Sequence, residues 1–308
     1  MGFLVFLPLI LPLTAWPVAR LAERHLHPRG ATLLLSAVSC VLALCSTLCL
    51  GLLAIVGTAQ LPGNPLPDGW SDPEVRAAVP HDEVVGKAAV GTLAAALLSC
   101  CGLLLRRRTV GRQLARALAG LPAHRRVAVL TDEIPYAHAL PEGRIVVSTG
   151  MLAGLGPAER RALFAHERAH VAARHHRHLL LAGLAARANP FLRPLRTSVT
   201  YTVERWADEE AARVVGDRRL TARAVGKAAL LTPRTPLPWL PGFATPGPVP
   251  RRVAALLAPA PTPHTWPPLF TAAGAAAWAA LAGTTLSALA SANSAITLIA
   301  ILHAATPL

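Results

Sequence analysis

Four apolar stretches, Phe3–Ala19, Ala31–Ala59, Ala88–Leu105 and Leu269–Leu302, constrain this 308-residue chain more than any other feature. A bilayer core is crossed by about 17–25 mainly apolar residues. With no water there to satisfy backbone groups, each stretch is expected to be a helix. Hydrophobic residues make up 53% of the chain and the mean hydropathy is +0.44, which excludes an ordinary soluble domain. The first stretch has no positive charge ahead of it, so it reads as a retained membrane helix rather than a secretory signal, with Pro8 and Pro12 bending it. The fourth is longer than one crossing needs; it either tilts or ends near Ser291–Asn293. Three domains follow: residues 1–105 with three spans and an acidic external loop at about 60–87, residues 106–268 as one modest soluble domain, and residues 269–308 with the fourth span and a short external tail.

Orientation follows from the arginines, because loops rich in Arg and Lys stay on the cytoplasmic side. The loop Arg20–Arg29 holds three Arg against one Glu, Gln60–Lys87 holds five acids against two bases, and Arg106-Arg107-Arg108 follows the third span. The three loops agree: residues 106–268 are expected in the cytoplasm of a cell (plasma) membrane, with both termini outside. That segment carries 25 Arg and Lys against 10 Asp and Glu, enough to account for all of the net +14. Without a helix-turn-helix or RNA-binding signature, the excess fits positive-inside bias and anionic headgroups, and no direct nucleic-acid binding is expected. All five cysteines, Cys40, Cys45, Cys49, Cys100 and Cys101, lie in the second and third spans. Any metal in the soluble part must therefore be held by His and carboxylates.

Five of the twelve histidines fall in Leu163–His178. Gly156-Pro157-Ala158-Glu159 starts a helix there, with glycine as cap and proline first. Within it His166-Glu167-Arg168-Ala169-His170 is an HExxH motif. Residues four apart share a helix face, so both imidazoles reach one tetrahedral ion, with Glu167 beside them as a base. Downstream, Asn189-Pro190 opens a second helix that runs from about Leu195 to Val215 and stops at Gly216. Glu204 and Asp208 share one of its faces, making Glu204 the natural third ligand and Asp208 the acceptor for a ligating imidazole's free N–H. Glu209 and Glu210 point roughly 140° and 240° away from Glu204 and read as a solvated acidic edge. His175, His176 and His178 read as a polar helix face near the membrane surface, not as ligands.

These residues carry a resemblance. "RIVVSTGML", "AERRALFAHERAHVAARHH", "NPFLRPL" and "VERWADEEAA" resemble the membrane zinc metallopeptidases of the BlaR/MecR antirepressor type and, more broadly, the HtpX-type and CAAX-prenyl proteases. The resemblance implies a mainly α integral membrane protein of about four transmembrane helices, with an α+β gluzincin-like metallopeptidase domain inserted between the third and fourth. It implies one Zn2+ per chain on His166, His170 and Glu204, with Glu167 as general base. Ala207 stands where the antirepressor group often has Cys. The chain ends soon after the fourth span, so the penicillin-binding sensor of the best-known members is not expected.

Two further roles are expected. Tyr201, one turn before Glu204, is a candidate oxyanion donor. Ile145, Val146, Val147, Ser148 and Thr149 form a β-branched run ending at Gly150, a strand whose edge would bind extended substrate. Val127–Leu130 reads as a second strand, and Thr232–Pro268 as a Pro-rich covering segment with a short helix at Arg251–Leu257. The leading function is a membrane zinc endopeptidase cleaving a cytoplasmic protein, with a BlaI/MecI-type repressor as first candidate. The alternatives are an HtpX-like quality-control protease and a non-catalytic signalling or scaffold protein with structural zinc.

Overall fold

The computed structural model describes residues 2–59, 63, 66–71, 75, 82–119, 126–232, 248–261, 268 and 270–305. Half of the acidic loop at 60–87 lies outside these residues. Among the described residues, four helices are long and apolar enough to cross a membrane: Leu4–His25, Pro28–Ala59, Val84–Arg116 and Gly274–Ala304. The first is irregular up to Thr14, where 3-10 turns flank a single α-turn at Leu7–Ile10. Pro8 and Pro12 explain this, since each lacks an N–H and its ring crowds the preceding turn. Regular helix follows as α1 (Ala15–His25), then α2 (Pro28–Ala59) and α3 (Asp82–Ala117). α2 and α3 meet at Gly57 and Gly86, where a Cβ on Gly57 would lie 2.3 Å from the Gly86 carbonyl carbon. Only glycine on both helices permits that approach.

α3 runs unbroken through Arg106-Arg107-Arg108 and leads into a small mixed sheet of β1 (Val127–Leu130), β2 (Ala137–Ala139) and β3 (Ile145–Ser148). The strand order is β1-β3-β2, with β1 parallel and β2 antiparallel to β3. This corrects the edge-strand expectation for Ile145, Val146, Val147, Ser148 and Thr149. The first four form the central strand, all buried, with Ile145–Val147 paired on both sides, and Thr149 opens the short helix α4 (Thr149–Gly154). A continuous β-branched run marks a strand buried on both faces, not a free edge. The edge nearest the HExxH helix is β2, whose Ala-His-Ala sequence carries no strand signal.

α5 (Pro157–Ala172) begins as its sequence predicts: the Gly156 N–H donates to Glu159 Oε2 at 2.8 Å and Pro157 takes the first helical position. It ends before Arg174, the one described non-glycine residue with positive φ, 51°. The chain restarts as α6 (His175–Ala188), turns at Pro190–Leu192 under the Asn189 side chain, and returns as α7 (Arg193–Val215), which Gly216 ends at φ 77°. α8 (Arg218–Leu231), α9 (Val249–Leu257) and α10 (Ala272–Ala304) complete the order. α10 passes Ser291–Asn293 without a break.

The α6–α7 hairpin packs among the apolar helices rather than apart from them. Ala182 and Ala185 of α6, with Leu192, Leu195 and Val199 around the turn, join Leu35, Val38 and Leu42 of α2 in one core. Polar ties line the same seam. Thr32 Oγ1 donates to Thr202 Oγ1 at 3.0 Å, His178 Nδ1 meets Ser36 Oγ at 3.1 Å, and Arg187 Nη1 donates to Ser99 Oγ at 3.3 Å. The central residues of the 106–268 segment are therefore seated against α2 and α3.

Candidate metal centre

α5 and α7 lie side by side and bring His166, His170 and Glu204 together. The two Nε2 atoms are 3.1 Å apart. Glu204 offers Oε2 at 3.5 Å from His166 Nε2 and Oε1 at 3.6 Å from His170 Nε2. Bonds of about 2.0–2.2 Å to a tetrahedral ion place ligand atoms roughly 3.3–3.6 Å apart. The donor types fit zinc; the two separations from Glu204 fall in that range and the Nε2–Nε2 separation is slightly shorter.

Asp208, fully buried one turn beyond Glu204, sets Oδ1 3.1 Å from His166 Nδ1. That contact leaves Nε2 facing the other ligands. Arg252 of α9, 5% exposed, holds both carboxylates. Its Nε and Nη2 donate to Asp208 Oδ2 and Oδ1 at 2.8 and 2.7 Å, and its Nη1 lies 2.8 Å from Glu204 Oε2. Burial alone would raise both carboxyls, yet the guanidinium holds Glu204 well below the usual carboxylate range and Asp208 below its own. Glu167 is buried. Burial pushes it up to about 7, with His166 opposing and Glu204 assisting. Against burial, Asp208 and Glu204 raise His166 to about 10, so the two carboxylates make the centre favour positive charge.

Residues 105–192 match the sequence model described as peptidase family M48. The M48-type segment runs from the end of α3 through the sheet, α5 and α6, and includes His166, Glu167 and His170. It implies a membrane-associated metallopeptidase. It stops at Leu192, so Glu204, Asp208 and Arg252 rest on geometry alone. Searches of curated proteins and of solved structures return no match.

Inside the M48-type segment, sequence reasoning missed His175. The residue is fully buried, its Nδ1 is 2.9 Å from His170 Nδ1, and its ring lies against Trp206 at 4.6 Å. On a continuous helix it would point roughly 140° away from His170. The left-handed Arg174 breaks the helix and turns the ring back toward α7. Burial, then the neighbouring His170, pull the His175 imidazole down to about 2. His176 and His178 remain partly exposed. His138 of β2 lies within the field of Glu204, and burial pulls it down to about 4.

Outside the segment, Arg252 was hidden in the presumed covering stretch; its signal was the Arg251-Arg252 pair on a short helix, without any local hint of its target. Glu209 is not solvated: it pairs with Arg205 at 2.8 Å and with Arg218, while Glu210 pairs with Arg213. The Tyr201 ring lies beneath the Arg251 guanidinium, 4.3 Å from its carbon.

Proposed function

We propose that this chain is an integral membrane zinc endopeptidase of the gluzincin arrangement, cleaving a protein substrate at the cytoplasmic surface of the membrane. The observation that carries the reading is the convergence of His166, His170 and Glu204 at close to tetrahedral spacing, with Glu167 buried beside them. Zinc held there supplies a Lewis acid that polarises a scissile carbonyl and acidifies water. Glu167 takes the proton from the attacking water and returns it to the leaving amine. Asp208 holds the His166 ring in place, and His175 does the same for His170.

A site at the membrane surface is supported by the α6–α7 hairpin, tied to the inner part of α2 through Thr32 and Ser36. The cytoplasmic orientation rests on the arginine distribution. The bilayer is thus a structural partner, and the substrate is a protein segment close to it. The repressor substrate implied by the antirepressor resemblance rests on that resemblance alone.

The test is zinc content and cleavage of fluorescein-labelled casein by the full chain in detergent. About one zinc per chain, lost in Glu204→Ala, with cleavage abolished in a zinc-replete Glu167→Gln, supports the enzyme. Zinc retained by Glu204→Ala removes the third ligand. Cleavage undiminished in Glu167→Gln removes the base and leaves the scaffold reading with structural zinc.

A further inference from the structure

We propose that Glu23, on the membrane helix α1, is a positioning residue for the metal centre, acting through Arg251 and Arg252 of α9. The proposal rests on the zinc-site reading above and adds the membrane helix to it. The Glu23 side chain is 6% exposed, and its two oxygens are both engaged. Oε1 accepts from the Ser198 hydroxyl of α7, and Oε2 lies 2.9 Å from Arg251 Nη2. Arg251 in turn spreads over the Tyr201 ring. The next residue, Arg252, places all three guanidinium nitrogens on Asp208 and Glu204. Adjacent residues on a helix rise by about 1.5 Å, so a shift of one arginine's backbone is a shift of the other's.

α9 has nine residues. A helix that short is not stable alone, so its position is set by its contacts. Its C-terminal end is held by Arg218, whose Nε and Nη2 donate to the Leu256 and Ala255 carbonyls at 3.1 and 2.9 Å. Leu256, 1% exposed, fixes the same end in a small apolar cluster. At the N-terminal end the corresponding charged anchor is Glu23. Releasing it leaves that end of α9 held by Arg252's own contacts to the centre, so Glu204 and Asp208 face a less fixed counter-charge while their own helix stays in place. Arg251 and Arg252 thus convert the position of α1 into the position of two metal-site carboxylates.

The experiment measures zinc affinity of the full chain in detergent by competition with a chromophoric chelator, alongside the melting temperature of the metal-free protein. Residues that support metal ligands change affinity by about 10–100-fold, and Glu23, one contact further out, is expected at the lower end, about tenfold weaker in Glu23→Gln. The exchange Glu23→Arg with Arg251→Glu restores most of that loss. Arg213→Gln, which breaks an exposed pair with Glu210, is the control and leaves affinity unchanged. Wild-type affinity in Glu23→Gln, or an equal loss in Arg213→Gln, overturns the link and leaves the zinc site standing. An exchange variant with the wild-type metal-free melting temperature but no recovery of affinity overturns it as well. A wild-type chain that binds no zinc overturns both the link and the reading beneath it.

Discussion

α5 and α9 both deliver side chains to one centre, but by different means. α5 places His166, Glu167 and His170 through its own geometry: a capped start, a 3.6-residue period and a four-residue spacing. α9 places Arg252 only because the chain returns to α7 after the whole of α8, and because its ends are tied to Glu23 and Arg218. The first arrangement survives wherever the helix forms. The second exists only in the assembled fold. The two histidine donors are thus local in origin, whereas the third donor, Glu204, and the charge balance are tertiary.

The sharpest test of the α5 side is Glu167→Gln, which keeps size and hydrogen bonding but removes the base. Turnover of labelled casein is expected to fall by about 10²–10⁴-fold with zinc stoichiometry unchanged. Loss of zinc together with activity would mean that Glu167 shapes the site instead of transferring a proton. On the α9 side, Arg252→Lys keeps the charge but loses the planar fork that spans Asp208 and Glu204. Zinc affinity is expected to drop by about 10–100-fold, as for other groups that orient ligands. If Lys serves as well as Arg, the centre needs a charge there and not a geometry.

This division explains what the sequence makes legible. The four long apolar helices follow from apolar length, and α5 and α7 from cap and stop residues such as Gly156, Pro157 and Gly216. His166, His170, Glu204 and Asp208 follow from periodicity within those helices. β3 was legible as a strand but not as the central one, since a β-branched run records burial and is silent about neighbours. β2 left no trace because Ala137-His138-Ala139 is strand only by virtue of its pairing with β3. Arg252 and the Glu23 link were illegible for the same reason: both are contacts between distant parts of the chain.

His175 sits between the two regimes, local in sequence yet redirected by one backbone angle at Arg174. Comparing it with its neighbour isolates that redirection. His175→Ala is expected to weaken zinc binding by about tenfold through loss of the His170 contact, and His176→Ala to leave it unchanged. Equal effects of the two, measured by the same chelator competition, would remove His175 from the support of the centre.

The smallest expected effect concerns the cap that starts α5. Glu159 accepts the Gly156 N–H and pairs with Lys227 and Arg223 of α8, contacts that hold its carboxyl below the ordinary value. A carboxyl lowered in the folded state adds stability that is complete above its unfolded pKa. That stability is lost as pH falls through the lower folded value. The Lys227 and Arg223 side chains are well exposed, so solvent screens the pairs and the whole contribution is at most about 1 kcal/mol. Glu159→Gln should therefore lower the melting temperature of the metal-free chain slightly at neutral pH, with the difference from wild type shrinking as the pH is taken below the carboxylate range. Working without metal matters, because protonation of the histidine ligands would otherwise dominate the acid limb. A gap that stays constant with pH would show that the side chain acts there by packing and not by charge. The start of α5 would then be fixed by Gly156 and Pro157 alone.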